Sequence, residues 1–169
     1  VISFCGSEIS SKKTTQALGV IPNDIFFEYT LALLDKNGSQ LLQSLDKFLS
    51  YGVPAEEVVS GLSNHMKNLL YSQIDGGLDL LEINDESKKQ YISHSSKWDR
   101  RDLLRSVQIL TDLSSKIRRS DDPFLLLEFS TLKLLEMDKS VSIESFLSSK
   151  NVEQNSVNTK EKASLPVDS

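Results

Sequence analysis

The sequence predicts an all-α fold, a bundle of about five to seven helices, and three observations carry that prediction. Apolar residues recur at three- and four-residue spacing along most of the 169 residues. Helix-starting Asn, Asp and Pro precede these stripes, and Gly follows them. No stretch alternates apolar and polar residues between turn signals, as a half-buried strand would.

Each element has its own signature. Ile9 to Gly19 reads as one short helix, capped by Ser10 or Ser11 and stopped by Gly19. Asn23 or Asp24, after Pro22, is placed to cap a helix bearing Phe26, Phe27, Leu33 and Leu34. Asn37-Gly38 reads as the C-cap and turn of that helix, since it lies between two helical patterns. Leu41, Leu42, Leu45, Phe48 and Leu49 form the next stripe, closed by Gly52. Pro54 sits near the first turn of a third helix, with Glu56 and Glu57 at the positive end of its dipole. Val58, Val59, Leu62, Met66, Leu69, Leu70 and Ile74 share one face there, and Gly76-Gly77 ends it.

Asp85 to Ser96 has Tyr91 and Ile92 as its apolar anchors and reads as a further helix. Asp99 caps a long one with Leu103, Leu104, Val107, Leu110, Leu113 and Ile117 at helical spacing; Lys116, Arg118 and Arg119 face its carbonyl end. Ser120-Asp121-Asp122-Pro123 starts the last helix, Phe124 to about Met137. From Ser148 to Ser169, Ser, Asn, Lys and Glu prevail without periodicity, and this stretch is expected to be a disordered tail. The boundaries expected are thus a leading helix over 1–19, the helical domain over 20–147 and the tail over 148–169.

Composition removes most catalytic classes. Hydrophobic residues make up 38% and charged residues 25%, ordinary for a globular chain. The net charge of −5 disfavours a wholly basic nucleic-acid binder. No apolar run approaches the ~18 residues of a membrane span, and no signal peptide is visible, so a cytoplasmic location is expected. A single cysteine, Cys5, allows neither an internal disulfide nor a multi-Cys zinc module. No G-x-G-x-x-G or G-K-[ST] loop cradles a phosphate, and His65 and His94 do not form H-E-x-x-H. The absence of an initiator Met suggests a piece of something longer.

Several residues invite a chemical reading and a plainer one. Asp121-Asp122 could hold a metal, but before Pro123 it reads as a cap. Asp99-Arg100-Arg101-Asp102 with Trp98 and His94 could form a small polar site; its plainer reading is a helix start with Trp98 as a staple. No nucleophile with a positioned base accompanies it. His65 reads as a packed boundary histidine. Lys97 to Arg119 holds seven basic residues against Asp99, Asp102 and Asp112, a local net of +4. Arg100, Arg101 and Arg105 are its candidate phosphate contacts, against the plainer reading of a solvated, salt-bridged helix. Glu128, between Leu127 and Phe129, is expected to be buried and ion-paired to Arg118 or Arg119.

The last helix is apolar nearly all round. Phe124, Leu125, Phe129, Leu132 and Leu135 fall on one broad face; Leu126, Leu127, Leu134 and Met137 fall on another. Either this helix is the centre of its own domain, or one face is core and the other an interface; in the second case Asp at Leu132 and Asp at Leu134 should behave differently. The interface candidates are Leu126, Leu127, Leu134, Met137, Phe124, Leu132 and Leu135.

The order and punctuation of the helices resemble a family. The string Leu18-Gly19-Val20-Ile21-Pro22-Asn23-Asp24, followed by Phe26-Phe27, is similar to the entry into the third domain of the bacterial DNA polymerase III gamma/tau subunit. Leu41 to Gly52, Gly61 to Leu70, Arg101 to Leu110 and Ser120 to Leu135 resemble that domain in order. Phe4-Cys5-Gly6 through Leu18-Gly19 resembles the closing helix of the preceding AAA+ lid. Lys67 departs from the Arg usual in the family, and Lys cannot reproduce a bidentate guanidinium fork.

The resemblance implies a collar-like oligomerisation domain of a clamp loader, the ATP-driven machine that loads a sliding clamp on primed DNA during replication. It implies partners among gamma/tau copies, delta and delta-prime, homo-oligomerisation, and DNA contact only through the full complex. It implies no cofactor and no catalysis in this segment, with ATP and Mg bound by an upstream motor. The alternatives are the helical domain of a delta subunit and a stand-alone helical nucleic-acid-binding module.

Overall fold

A computed structural model describes residues 21–138. Its six α-helices are α1 (Asn23–Leu34), α2 (Gly38–Ser50), α3 (Ala55–Tyr71), α4 (Asp85–Ser95), α5 (Arg100–Ile117) and α6 (Pro123–Glu136). A single 3-10 turn, Gly77–Leu80, lies between α3 and α4. Among the described residues there is no strand, and no helix is long and apolar enough to cross a membrane. Cys5, the expected helix over 9–19 and the expected tail over 148–169 lie outside the described residues.

Helix α3 organises the bundle. It packs against α1, α4, α5 and α6, most extensively against α5, while α1 and α2 form a hairpin. Val58, Val59, Leu62, Met66 and Leu69 leave α3 on one stripe and are buried to within 1%. Leu103, Leu110, Leu113 and Ile117 meet them from α5, and Leu41, Leu45 and Phe48 close the core from α2. Each such side chain contributes about 1.5–3 kcal/mol by leaving water. Only part of each sequence stripe goes inside: Leu42, Leu49, Ile92 and Leu104 are exposed.

Caps fix the helix boundaries, and some differ from expectation. Asp99 accepts from the Arg101 amide at 2.8 Å, and Asp122 from the Leu125 amide at 3.0 Å, so both act as caps. Gly52, at φ 64°, supplies the left-handed residue that follows α2. Helix α1, in contrast, starts without a side-chain cap: Asn23 and Asp24 are already inside it, and Pro22 stands at the cap position. Asn37 does not close α1 but opens α2, accepting from the Gln40 amide at 3.1 Å. The left-handed residue after α1 is Lys36, at φ 55°. Its ammonium donates to the carbonyls of Leu135 and Met137, satisfying the negative end of α6.

Helix α3 ends at Tyr71, before Gly76-Gly77, and Ile74 is exposed beyond it. The Ser72 and Gln73 amides bond back to Asn68 and Leu70, and the 3-10 turn follows. Glu128 is half-buried and makes no ion pair among the described residues. One residue past buried Leu127, it lies on the flank of α6 and is partly open to solvent.

Candidate functional site

Helix α6 presents two apolar faces with different fates. Leu127, Thr131 and Leu134, spaced four and three residues apart, are buried against the chain's own core. Leu125, Phe129 and Leu132, with the same spacing, are 44%, 60% and 37% exposed. A helix that needed only to fold would carry polar residues at those three positions. The helix is locked in rotation by its inner face: Tyr29 and Thr131, both fully buried, share a hydrogen bond of 2.9 Å between their hydroxyls. A turn about the helix axis would bury apolar surface only by stranding that pair, at about 1–3 kcal/mol per unsatisfied group.

The interface candidates therefore separate. Leu127 and Leu134 are core residues of the domain and offer no surface, a correction to their candidacy. Phe124, Leu126, Leu135 and Met137 are half-buried, and Leu132 is exposed. Leu125 and Phe129, outside the candidate set, are the more exposed members of the outer face. The signal that could have found them was Thr131. A hydroxyl residue among leucines looks like a surface position, yet its bond to Tyr29 fixes it inside.

The arginine cluster is engaged locally. Arg101 makes two bonds of 3.1 Å to the Asp99 carboxylate, and this partnership holds Asp99 below the usual carboxylate range. Arg105 pairs with Asp102 and donates to the Asp138 carbonyl at 2.7 Å. Arg100 is exposed and forms no ion pair among the described residues. The three candidate phosphate contacts thus share one helix end, where two serve intramolecular carboxylates.

His65 is a structural residue. His65 is buried rather than at a boundary, its ring edge-on to Phe27 at 4.5 Å between centroids. Thr30 Oγ1 gives its proton to a backbone carbonyl of its own helix, at 3.1 Å from both Phe26 and Phe27. Its lone pair therefore accepts from His65 Nε2 at 3.3 Å, and Nδ1 accepts from the Tyr91 hydroxyl at 3.0 Å. The assignment of the Nε2–H tautomer follows from this network. Burial first, and then the His94 charge, push His65 down to about 3, so the ring is neutral.

Among the described residues no His, Cys, Asp and Glu group could hold a metal. A cleft of about 340 Å³ between α1 and α2 is lined by Glu28, Leu31, Asp35, Gln40, Gln43, Ser44 and Lys47. Of its three charged groups, Glu28, Asp35 and Lys47, the first and last pair with each other, and no nucleophile with a positioned base lines it. What the surface offers instead is the outer face of α6.

Comparison with known proteins gives one family. A family described as DNA polymerase III subunits gamma and tau domain III matches residues 9–146, which include all six helices. No curated protein matches the chain.

Proposed function

The chain belongs to the family of DNA polymerase III subunits gamma and tau domain III, and on that premise we propose that it is the oligomerisation collar of a clamp-loader subunit. In this reading it joins gamma/tau copies to one another and to delta and delta-prime in the cytoplasm. The assembled complex loads the sliding clamp onto primed DNA during replication, and DNA is met only through that complex. The segment itself does no chemistry; ATP and Mg belong to a motor domain upstream. The family names gamma and tau, which favours them over a delta subunit.

The outer face of α6 carries the proposal. Leu125, Phe129 and Leu132 stand exposed on a helix whose opposite face is fixed in the core. Burying such a stripe against a neighbour gains about 25 cal/mol per Å² of apolar area without any change in the domain's fold. The engagement of Arg101 and Arg105 by Asp99 and Asp102 weighs against a stand-alone nucleic-acid binder.

Sedimentation equilibrium of the chain and its Phe129→Asp variant, each alone and mixed with the other clamp-loader subunits, tests the reading. The wild type should associate, and Phe129→Asp should keep its helical circular dichroism while losing association by about tenfold or more. A wild type that stays monomeric and fails to join the other subunits would overturn the proposal. So would assembly that is indifferent to Phe129→Asp.

A further inference from the structure

A second exposed apolar residue stands far from α6 in sequence and in a different electrostatic setting. Leu80, at 74% exposure, ends the 3-10 turn between α3 and α4. The turn is held: Gly76 takes φ 73°, the Asp79 amide bonds to Gly76, the Leu81 amide bonds to Leu78, and Leu81 is buried. Gly77 has no room for a side chain, because a Cβ there would lie 2.2 Å from the Tyr71 carbonyl oxygen. Leu80 is thus fixed outward by its neighbours. Around it Asp75, Asp79, Glu82, Asp85 and Glu86 are all exposed, without a Lys or Arg between them and without an ion pair among the described residues.

The same end of the molecule carries the complement. Gln73 Nε2, just before the turn, donates to the carbonyls of Ser95 and Trp98, both at 2.8 Å, which brings the base of the acidic loop beside the start of α5. There Leu104 is 50% exposed, with Arg100 and Arg101 four and three residues before it on the same helical face. Lys97 is exposed one turn earlier and, like Arg100, makes no ion pair among the described residues. One end therefore shows Leu80 in an acidic stretch next to Leu104, which follows the exposed cations Lys97 and Arg100, while Arg101 is held by Asp99.

We propose that this end is a second self-association surface, on which the Leu80 loop of one copy seats on the Leu104 face of α5 in a second copy. Because donor and acceptor patches share one end, each copy can give and receive the same contact. Such an isologous arrangement closes at two copies. Opposite charges at the rim set register and salt dependence, and the two leucines supply the apolar centre. The contact is separate from the outer face of α6 and does not rest on the collar reading.

The test is sedimentation of the full chain in the Phe129→Asp background, which removes the α6 contact. This chain should still dimerise at low salt and dissociate in about 1 M salt, where charges are screened beyond about 3 Å. Asp79→Lys with Glu82→Lys should weaken the dimer by about tenfold, and Lys97→Glu with Arg100→Glu should do the same. Combining all four should restore it, because the signs are exchanged rather than removed. Leu80→Ser should weaken it at every salt concentration. All five positions are exposed, and circular dichroism verifies the fold of each variant. A quadruple variant no tighter than either double would overturn the proposal, as would a Phe129→Asp chain that is monomeric at low salt.

Discussion

Phe26 lays its ring on the position along α3 where no side chain stands. A Cβ at Gly61 would lie 2.5 Å from Phe26 Cζ and 2.8 Å from Cε1. The ring cannot retreat freely, since Phe48 and His65 flank it at centroid distances of 5.2 and 5.9 Å. Gly61→Ala at a solvent-facing helix position would gain about 1 kcal/mol of propensity; here overpacking should cost about 1–3 kcal/mol and reverse the sign. Urea denaturation should show net destabilisation of Gly61→Ala, relieved when Phe26→Leu is added. His65 makes a pH-dependent contribution. Its folded pKa is depressed to about 3 from an ordinary 6.5, so the unfolded chain binds the proton more tightly. Stability is therefore full above the unfolded value and is lost as pH falls below it, by up to about 1.4 kcal/mol per pH unit. His94, also lowered, by burial and then by Lys97, adds in the same direction. Melting between pH 5 and pH 7 should show that slope, and His65→Gln should flatten most of it while lowering stability at pH 7.

At the scale of the helix, α6 separates folding from assembly. Leu134→Asp places a carboxylate at a position buried to 3%, and an uncompensated buried charge costs about 3–5 kcal/mol. Leu132→Asp falls on the outer face and should move stability by no more than about 0.5 kcal/mol. Thermal unfolding followed by circular dichroism should find the first variant largely unfolded and the second native; equal loss in both would make the outer face part of the core. The helices themselves were legible because spacing and caps are local properties of the chain. Asp99 and Asp122 announce their helices in the residues around them. The allocation of faces was less legible: Leu125 and Leu127 are the same residue type on one helix, and only packing against α2, α3 and α5 distinguishes them. Long-range partners left no local trace. Nothing near Lys36 in sequence indicates that its ammonium finishes α6 about a hundred residues later, and nothing near His65 names Thr30 and Tyr91 as the groups that satisfy it.

For the whole molecule, the described helices share one buried core. The buried cluster draws on all six helices between Ile25 and Leu134. The family match likewise ends at residue 146, before the stretch from Ser148 onward. That stretch offers no apolar face in its sequence, so it has little to bury against the domain. Deleting 148–169 should leave the unfolding free energy within about 0.5 kcal/mol of the full chain. The same molecule should be indifferent to nucleotide. A ligand at a hundred times its dissociation constant stabilises a protein by about 2.7 kcal/mol, a displacement that a melting curve resolves easily. The sequence contains neither a phosphate-cradling glycine loop nor G-K-[ST], and α3 and α5, the helices with most contact, meet through leucines rather than through a polar crevice. Millimolar ATP with Mg should therefore leave the melting temperature of the chain unchanged, and purified chain should release no phosphate above buffer. A saturable upward shift, abolished by one substitution within 21–138, would instead place a nucleotide site in this domain and end its reading as a passive collar.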